Sequence, residues 1–417
     1  MSEPVSAMNK MAKITVILLF LSWLVDYIDR LVITLALPDI GKTFALNPVE
    51  MGAVVSAFAI TYALFQIPGG ILADRFGSRR VMVGTMAAWS IFTALTGIVG
   101  SYVNLLIVRG LFGASEALFP AASMKAIGER VSQKNRMTAN SLMLSSNSLG
   151  AAIAPLIAAP AIALVGWRHS FFIVMGLGLV MAVILWAKLP QPVSNISSPG
   201  NNRATEEQGV GTKIDSVLFS GMIWKFALLF GSFCIVIWGL LAWVPTYLIN
   251  ARHLHIMTAG YLTSIPWFFG MIGTILGGVL FDRYFSNHYR VLVVPAEILG
   301  AIFLFVMTRT STVEGYVISL SLALFFLQMA FLPIFGLPLR LLSPRVMATG
   351  GSIINFGGQF GGFLAPITMG WLIQHFSYNM GFSFLIIALL ISAATAFWIP
   401  QSFNRFREAI AGPKAAT

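Results

Sequence analysis

Long apolar segments follow one another along nearly the whole chain, and they restrict the fold more than any other feature of the sequence. Apolar residues make up 57% of the 417 residues and charged residues only 10%, whereas charged residues are about 25% of a soluble globular protein. A run of about 20 apolar residues is long enough to cross a bilayer as a helix. The sequence therefore predicts an all-α integral membrane protein that crosses the bilayer many times.

Twelve apolar runs are long enough to be transmembrane helices. The predicted spans are 14–37, 49–71, 80–99, 103–125, 138–160, 168–188, 222–248, 258–281, 290–309, 314–338, 346–372 and 378–400. The one long polar stretch, 190–220, is rich in Pro, Ser, Asn and Gly, a composition typical of a flexible linker. We therefore predict a six-helix half over 1–189, a linker over 190–220, a second six-helix half over 221–400 and a tail over 401–417.

Two motifs recur between the halves. GGILADRFGSRR at 69–80 is similar to GGVLFDRYFSNHYR at 277–290, and SLGAAIAPLI at 148–157 is similar to QFGGFLAPIT at 359–368. Both pairs are separated by about 210 residues, and recurrence at one spacing is the mark of an internal repeat. The repeat indicates two homologous halves with pseudo-symmetry, as found in some transporter folds.

Basic residues are distributed unequally between the two predicted sides of the membrane. The net charge is +11, and an N-terminus on the inner side collects about twenty Lys and Arg on that side. The opposite side receives Lys42, Arg168, Arg252 and Arg309. Since cytoplasmic loops are enriched in Lys and Arg, both termini and the linker are predicted to be cytoplasmic. The basic surplus thus needs no nucleic-acid partner.

Residue types that support catalysis are poorly represented. The single cysteine, Cys234, lies in an apolar run, which excludes a disulfide framework and a thiolate metal site. The sequence has no nucleophile–base pair, metal-ligand cluster or phosphate-binding loop at a convincing spacing. We therefore expect no enzyme, no bound metal and no cofactor, with the proton gradient as the only source of energy.

Five charged residues interrupt the apolar runs of the first and fourth helices. They are Asp26, Asp29 and Arg30, then Arg109 and Glu116. Each one costs about 2.5–3.5 kcal/mol at the centre of a helix that faces lipid. We therefore expect these side chains to face the interior of the bundle or a water-filled cavity, and to pair with one another.

Distance along the helices predicts which charges meet. Asp29, Arg30 and Arg109 lie at a similar depth, whereas Glu116 lies two turns, or about 10 Å, deeper. Asp29 is therefore the better placed acid for an ion pair with Arg109. A buried carboxylate gains a proton by desolvation and loses it beside a guanidinium, so Asp29 and Glu116 are candidates for proton coupling. Arg30 is the candidate anion-binding residue because its planar fork matches a carboxylate, although a static ion-pair network is the alternative.

A second pattern occupies the turn between the second and third helices. Gly77 permits a positive φ there, Asp74 is expected to accept hydrogen bonds from a helix N-terminus, and the arginines are expected to anchor at the inner surface. An ordinary positive-inside loop is the alternative. The spacing resembles the signature loop of the major facilitator superfamily, which implies a conformational latch. Its residues are Asp74, Arg75, Gly77, Arg79 and Arg80, with Asp282 and Arg283 in the repeat.

Further motifs narrow this resemblance. They are YIDR at 27–30, SAFAITYALFQIPGG at 56–70, RGLFGASEALFP at 109–120, GWR at 166–168 and WVPTYL at 243–248. Together they resemble the anion:cation symporter family, which includes bacterial galactonate, glucarate and hexuronate permeases, aromatic-acid transporters, sialin and vesicular glutamate transporters. The resemblance implies proton coupling by Asp29 and Glu116, binding of the substrate carboxylate by Arg30, and a site-lining role for Tyr62.

Asp26 departs from the family pattern, in which a neutral residue is expected. As the residue three positions before Asp29 on a helix, it either raises the proton affinity of Asp29 or faces water nearer the inner side. Glu297 is the only acid within the apolar runs of the second half, and we expect a structural or lipid-interface role for it.

Neutral polar and aromatic residues complete the predicted substrate site. Asn355 and Gln359 lie one helical turn apart and project the same way, but the glycines around them equally indicate close helix packing. Arg109 is included because it lies near Arg30 in depth. The predicted substrate-binding residues are Arg30, Tyr62, Arg109, Ser146, Asn147, Trp243, Asn355 and Gln359.

These observations predict a proton-coupled symporter of the bacterial inner membrane that imports a small organic carboxylate, such as a sugar acid, by alternating access. The expected partners are the organic anion, protons and the bilayer, and the expected functional state is a monomer. An aromatic-acid permease, an organic-anion exchanger that uses Arg30 and Arg109 together, a proton-driven drug exporter and a non-transporting membrane sensor are the alternatives.

Overall fold

The computed structural model describes residues 9–132, 135–192, 219–285, 288–342 and 347–399, and nearly all of them are helical. The first six helices are α1 (Lys10–Phe44), α2 (Pro48–Phe76), α3 (Ser78–Ile98), α4 (Tyr102–Glu116), α5 (Phe119–Arg130) and α6 (Arg136–Lys188). The others are α7 (Gly221–Asn250), α8 (Ile256–Leu280), α9 (Tyr289–Arg309), α10 (Val313–Leu341), α11 (Met347–His375) and α12 (Tyr378–Trp398), with a π-helical turn at Phe281–Phe285.

These helices confirm the twelve predicted spans, once two breaks are taken into account. α4 and α5 together form the fourth span, and α6 contains the fifth and sixth, which meet at Gly166 (φ 77°, ψ 163°). Within the described residues, nine helices are long and apolar enough to cross a bilayer, and α6 counts once among them. The chain therefore has the predicted all-α membrane fold.

Proline changes two of the predicted helices. The sequence predicts that the first helix ends at residue 37, but α1 continues through Pro38 to Phe44, since helices in membrane proteins tolerate proline where neighbouring groups satisfy the freed carbonyl. The predicted fourth helix is interrupted after Glu116. Pro120 lies directly after this break, and it has no N–H to bond the carbonyl of residue 116.

Polar residues start several of the helices. Asn9 begins α1 by accepting a hydrogen bond from the Ala12 amide (2.8 Å). Asn47 and Glu50 begin α2 with a reciprocal capping box, in which each side chain accepts from the other residue's amide (2.9 and 2.8 Å). Such caps satisfy amides that the first helical turn leaves without partners. At the other end of α2, Gly77 has φ 83°, which confirms the expected positive φ in this turn.

The chain forms two compact units. One comprises Met1–Ser198 with Ala242–Ser264, and the other comprises Pro199–Leu241 with Ile265–Thr417. Residues 193–218 of the predicted linker and the predicted tail 401–417 lie outside the described residues. The predicted boundaries of the two halves therefore stay predictions, and the charged residues of α1 and α4 all belong to the first unit.

Two glycines let helices of the first unit approach closely beside those charges. A Cβ on Gly113 of α4 would overlap the carbonyl oxygen of Phe58 on α2 and lie 2.5 Å from the Thr61 hydroxyl. A Cβ on Gly150 of α6 would lie 2.5 Å from the Cβ of Tyr27 on α1. Small residues are needed wherever helix backbones come this close. The close contact with α4 therefore restricts the position of Phe58, and the contact with α6 restricts that of Tyr27. Both residues lie beside Arg30.

Substitution of Gly113 tests this packing. We expect Gly113→Ala to destabilise the protein by about 1–3 kcal/mol, because the added methyl group must push α4 away from the α2 backbone. The measurement is the thermal unfolding of the purified protein in detergent, followed by intrinsic fluorescence. The control is Gly128→Ala in α5, where an added Cβ would have no atom within 4 Å. A Gly113→Ala variant as stable as that control would contradict the packing argument.

Candidate functional site

Five charged side chains from α1 and α4 lie together in the interior of the first unit. None of them is more than 5% exposed. Burial of a charge costs several kcal/mol unless an opposite charge and hydrogen bonds compensate for it. Their mutual contacts therefore determine what this site can bind. The five are Asp26, Asp29, Arg30, Arg109 and Glu116.

Arg30 is at the centre of this charge cluster. Its Nη2 atom forms an ion pair with Asp26 Oδ2 at 3.1 Å, and the same nitrogen contacts Glu116 Oε1. Asp26 lies one helical turn before Arg30 on α1, whereas Glu116 comes from the end of α4. One edge of the guanidinium is therefore shared by two carboxylates.

Three aromatic rings surround the Arg30 guanidinium. Its central carbon lies 4.9 Å from the ring centroid of Tyr27, 5.0 Å from that of Phe58 and 5.1 Å from that of Tyr62. Cation–π attraction of this kind is strongest where water is excluded. The Tyr62 hydroxyl also interacts with Arg30 and with Gln66. Tyr62 therefore lies beside the predicted anion-binding residue, as expected.

Asp29 does not form the predicted ion pair with Arg109. Its Oδ1 atom accepts a hydrogen bond from the Thr93 hydroxyl on α3 at 2.6 Å, and its Oδ2 atom has no hydrogen-bond partner among the described residues. Arg109 is near enough to interact with Asp29 electrostatically, but the described residues contain no ion pair between them within 4.0 Å. The prediction compared only depths along two helices, and depth does not fix the direction of a side chain.

Arg109 is buried against aromatic rings. Its guanidinium carbon lies 4.5 Å from the ring centroid of Phe112 and 5.8 Å from that of Phe58. Its Nε atom has no hydrogen-bond partner in the part of the chain that the structure describes. A buried guanidinium that keeps an unused donor is suited to a carboxylate ligand, and Phe58 lies beside both arginines.

Glu116 contacts Arg30 on α1, although the spacing along the two helices places it about 10 Å deeper. The predicted difference in depth therefore does not keep these two side chains apart. The second oxygen of Glu116, Oε2, has no hydrogen-bond partner within the described ranges. Asp26 is only 2% exposed and paired, so the interpretation in which it faces water is wrong.

The other predicted substrate-binding residues have mixed surroundings. Ser146 is buried and donates to the Met143 carbonyl of its own helix (2.5 Å), whereas Asn147 has a buried Oδ1 atom that no described residue contacts by a hydrogen bond. Trp243 on α7 is fully buried. Asn355 and Gln359 are half-buried on α11 in the second unit. Contact of these five residues with substrate stays a prediction.

The predicted latch loop makes contacts that differ from the expectation. Asp74 accepts from Lys125 Nζ on α5 at 2.9 Å rather than from a helix N-terminus, and Lys125 also donates to the Ala73 carbonyl (3.0 Å). Arg79 donates to the Trp186 carbonyl and lies over the indole ring at 4.9 Å. Arg75 and Arg80 are exposed, as are Asp282 and Arg283 in the π-helical turn.

A buried arginine behind this loop was not predicted. Arg130, at the end of α5, donates to the Ser78 hydroxyl (3.0 Å), to Glu129 Oε2 (2.6 Å) and to the Pro190 carbonyl (2.7 Å). Ser78 in turn donates to Glu129 (2.6 Å). These bonds connect α3, α5 and the segment after α6 within the first unit. The latch role itself stays a prediction.

Glu297 is fully buried in the second unit. The Ser392 hydroxyl on α12 donates to Glu297 Oε1, and Oε2 has no hydrogen-bond partner among the described residues. This location contradicts the expectation of a lipid-interface role and leaves the structural one.

Sequence reasoning missed Phe58, Thr93 and Lys125. Phe58 carries a usable signal, since it precedes Tyr62 by one helical turn in the same motif and so shares its face. Thr93 is one of several threonines on α3, and Lys125 lies on α5, which ends in another basic residue. Nothing in the sequence distinguishes either of them from those neighbours. Their contacts depend on how neighbouring helices are rotated.

Comparison with known proteins places this chain in a family. The sequence model of the Major Facilitator Superfamily matches residues 17–366. The hexuronate transporter of Bacillus subtilis is 27% identical over 417 residues, which cover 97% of each chain. A probable sulfoacetate transporter of Cupriavidus necator is 29% identical over 397 residues (91% of each). A probable L-galactonate transporter of Escherichia coli is 27% identical over 408 residues, covering 93% of this chain and 89% of that protein.

A solved structure shows the same fold. The crystal structure of a bacterial homologue of the human lysosomal transporter Spinster superposes with a TM-score of 0.84 over 97% of this chain and 99% of that chain, at 19% identity. Because the family model covers far more than half of the sequence, the chain belongs to the Major Facilitator Superfamily, and it is a multi-pass membrane transporter rather than an enzyme.

Proposed function

We propose that the chain is a proton-coupled symporter that imports a small organic carboxylate, with a sugar acid as the substrate class. The observation that carries the proposal is the buried Arg30, which two carboxylates share inside a cage of three aromatic rings. A guanidinium in such a site binds carboxylates strongly, because planar N–H pairs match carboxylate oxygens. The named relatives transport, or are thought to transport, hexuronate, sulfoacetate and L-galactonate, all of which are organic anions.

Proton binding at Glu116 would make Arg30 available to the substrate. While Glu116 is ionised, it holds the Nη2 edge of Arg30. A proton on Glu116 removes its charge, and the ion pair with Arg30 then weakens to an ordinary hydrogen bond. A substrate carboxylate can replace it without leaving an unpaired charge in the interior. Loading of the proton and loading of the anion therefore favour each other.

Asp29 offers a second place for a proton. Its Oδ2 atom is buried without a hydrogen-bond partner among the described residues, and Thr93 holds its other oxygen. An ionised carboxylate in this setting depends on the charge of Arg109 for compensation. If a substrate takes the charge of Arg109, Asp29 gains proton affinity. In both cases the substrate competes with an acid for the charge of an arginine: Glu116 depends on Arg30, and Asp29 depends on Arg109.

The remaining parts of the proposal concern orientation. Import with protons requires the site to load from the outside and to release inside. We place the protein in the bacterial inner membrane, with both termini in the cytoplasm. The distribution of Lys and Arg along the sequence supports this orientation. We also propose that one chain is sufficient for transport, since the charge cluster is complete within the first unit.

An anion exchanger is the second candidate, and one observation favours it. Arg30 and Arg109 both lie near the ring of Phe58 (5.0 and 5.8 Å) and interact electrostatically with each other, so two positive charges border one part of the site. An exchanger of this kind would need an anion on both sides of the membrane and no proton gradient. The two candidates thus differ in what drives uptake.

Gradient-driven uptake distinguishes them. We expect the protein in liposomes, with an inside-alkaline pH gradient, to accumulate at least one of D-glucuronate, D-galactonate, D-glucarate and sulfoacetate, because loading of the anion draws protons into the site. Radiolabel uptake is measured with and without a protonophore, in liposomes empty of organic anions. Uptake that ignores the gradient, or that requires a trapped anion, would exclude symport.

Replacement of Glu116 tests its role in coupling. We expect Glu116→Gln to lower accumulation driven by the gradient but to keep counterflow of the same acid, because the amide mimics the protonated carboxyl and cannot release its proton. Both rates are measured on the same liposomes. Glu314→Gln on the exposed first turn of α10 is the matched control and should transport normally. Accumulation in Glu116→Gln that equals that of the unmodified protein would count against this residue as a coupling acid.

Replacement of Arg30 tests the anion site. We expect Arg30→Lys to weaken substrate binding by roughly tenfold or more, equivalent to about 1.4 kcal/mol, because an ammonium cannot reproduce the planar fork. Binding is measured by calorimetry on the purified protein. Arg309→Lys at the exposed end of α9 serves as the control. Unchanged affinity in Arg30→Lys would show that the substrate carboxylate binds elsewhere.

A further inference from the structure

The charge cluster contains more acids than bases. Among the described residues, Asp26, Asp29 and Glu116 share this buried cluster with two guanidiniums, those of Arg30 and Arg109. With every group ionised, the site carries a net charge of −1, before any substrate enters. An uncompensated charge in a buried site costs several kcal/mol, so the surplus acid needs an explanation.

Asp26 is the surplus acid. Asp29 interacts electrostatically with Arg109, and Glu116 contacts Arg30, so each arginine has an acid without Asp26. In the family that the sequence resembles, a neutral residue is expected at position 26. Asp26 nevertheless contacts Arg30 directly, at 3.1 Å from Nη2. It thus occupies a donor that the proposed function assigns to the carboxylate of the substrate.

Several charged or titratable groups of the described residues act on Asp26 directly or through Arg30, and Tyr27, the next residue on α1, interacts with Arg30. On α1, the groups that act on Asp26 directly are Asp29 and Arg30. From α2, Tyr62 interacts electrostatically with Asp26. From α4, Glu116 meets Asp26 at the shared Nη2 atom of Arg30. Asp26 therefore has one positive neighbour, Arg30, and two acidic ones, Asp29 and Glu116. A substrate carboxylate beside Arg30 would be a third negative charge near Asp26.

We propose that Asp26 is an internal competitor of the substrate carboxylate for Arg30, and that it takes up a proton when the substrate binds. The proposal rests on the proposed function and adds a third acid to its two. A proton from solution adds to an Asp26 oxygen, the ion pair with Arg30 weakens, and the substrate carboxylate takes its place. Asp26 is thus a positioning residue for Arg30 that also sets the proton requirement.

Charge balance gives the number of protons. A monocarboxylate in the fully ionised cluster brings the net charge to −2, so a neutral loaded site holds two protons. Without the Asp26 carboxylate, the same substrate needs one proton. In general the loaded site holds one proton more than the substrate has negative charges, and Asp26 is responsible for the additional one.

The proton count of binding tests this proposal on the unmodified protein. Titration calorimetry with D-glucuronate, in phosphate and in Tris buffer at the same alkaline pH, gives the number of protons taken up per bound anion. We expect close to two protons where the empty site is fully ionised, and the apparent Kd should rise about a hundredfold per pH unit there. Uptake that levels off at one proton as the pH is raised would overturn the proposal.

The Asp26→Asn variant then isolates this residue, since the amide keeps the shape and the acceptor oxygen. We expect one proton per bound D-glucuronate, a Kd that rises about tenfold per pH unit, and tighter binding than the unmodified protein at alkaline pH. Asp39→Asn, at the exposed outer part of α1, is the matched control and should keep the unmodified profile. Two protons in Asp26→Asn, or weaker binding at alkaline pH, would overturn the role of Asp26.

Failure of the proposed function produces a different result. If the unmodified protein binds none of D-glucuronate, D-galactonate, D-glucarate and sulfoacetate, the anion site is wrong and the inference on Asp26 falls with it. If the protein binds one of them and takes up only as many protons as that anion has negative charges, symport stands and only the role of Asp26 is overturned. Thermal unfolding of each variant, matched to the unmodified protein, confirms that the comparison is between folded proteins.

Discussion

An arginine inside the membrane region keeps its positive charge, and the whole site depends on how that charge is compensated. A guanidinium does not give up its proton in proteins, so Arg30 must be surrounded by negative or polarisable groups. Asp26 and Glu116 supply the negative charge, and three aromatic faces supply the rest of the cage. Each charged group would be unfavourable there alone, because a buried acid and a buried arginine both need an opposite charge.

Packing fixes the cage before any ligand arrives. Phe58 is held by the close approach of α2 and α4 at Gly113, and Tyr27 by that of α1 and α6 at Gly150. The interruption of the fourth span after Glu116 has a local cause in Pro120, and it places the acid at the end of a helix instead of its middle. The backbone therefore positions the ion pairs with little freedom, as preorganised binding requires.

The sequence predicted the number and type of helices, because hydrophobic length and the internal repeat depend only on the order of residues. It also predicted that the charges of α1 and α4 would face away from lipid and pair with one another, because a charged side chain that faces lipid costs too much free energy. The prediction of which side chains pair with one another was only partly right. Arg30 pairs with Glu116, and Asp29 with Thr93, because helix rotation and the reach of long side chains decide contacts that residue spacing does not record. Asp74 found Lys125 for the same reason.

Burial also determines which ion pairs of this protein respond to salt. Dissolved ions screen exposed charges over about 8 Å at physiological ionic strength, but they do not enter a closed, buried cluster. The contact of Lys125 with Asp74, whose side chain is 81% exposed, should therefore weaken as salt is added, while the pairs around Arg30 should not. Changes in ionic strength should therefore act on the contact of Lys125 with Asp74 and leave the ion pairs around Arg30 unchanged.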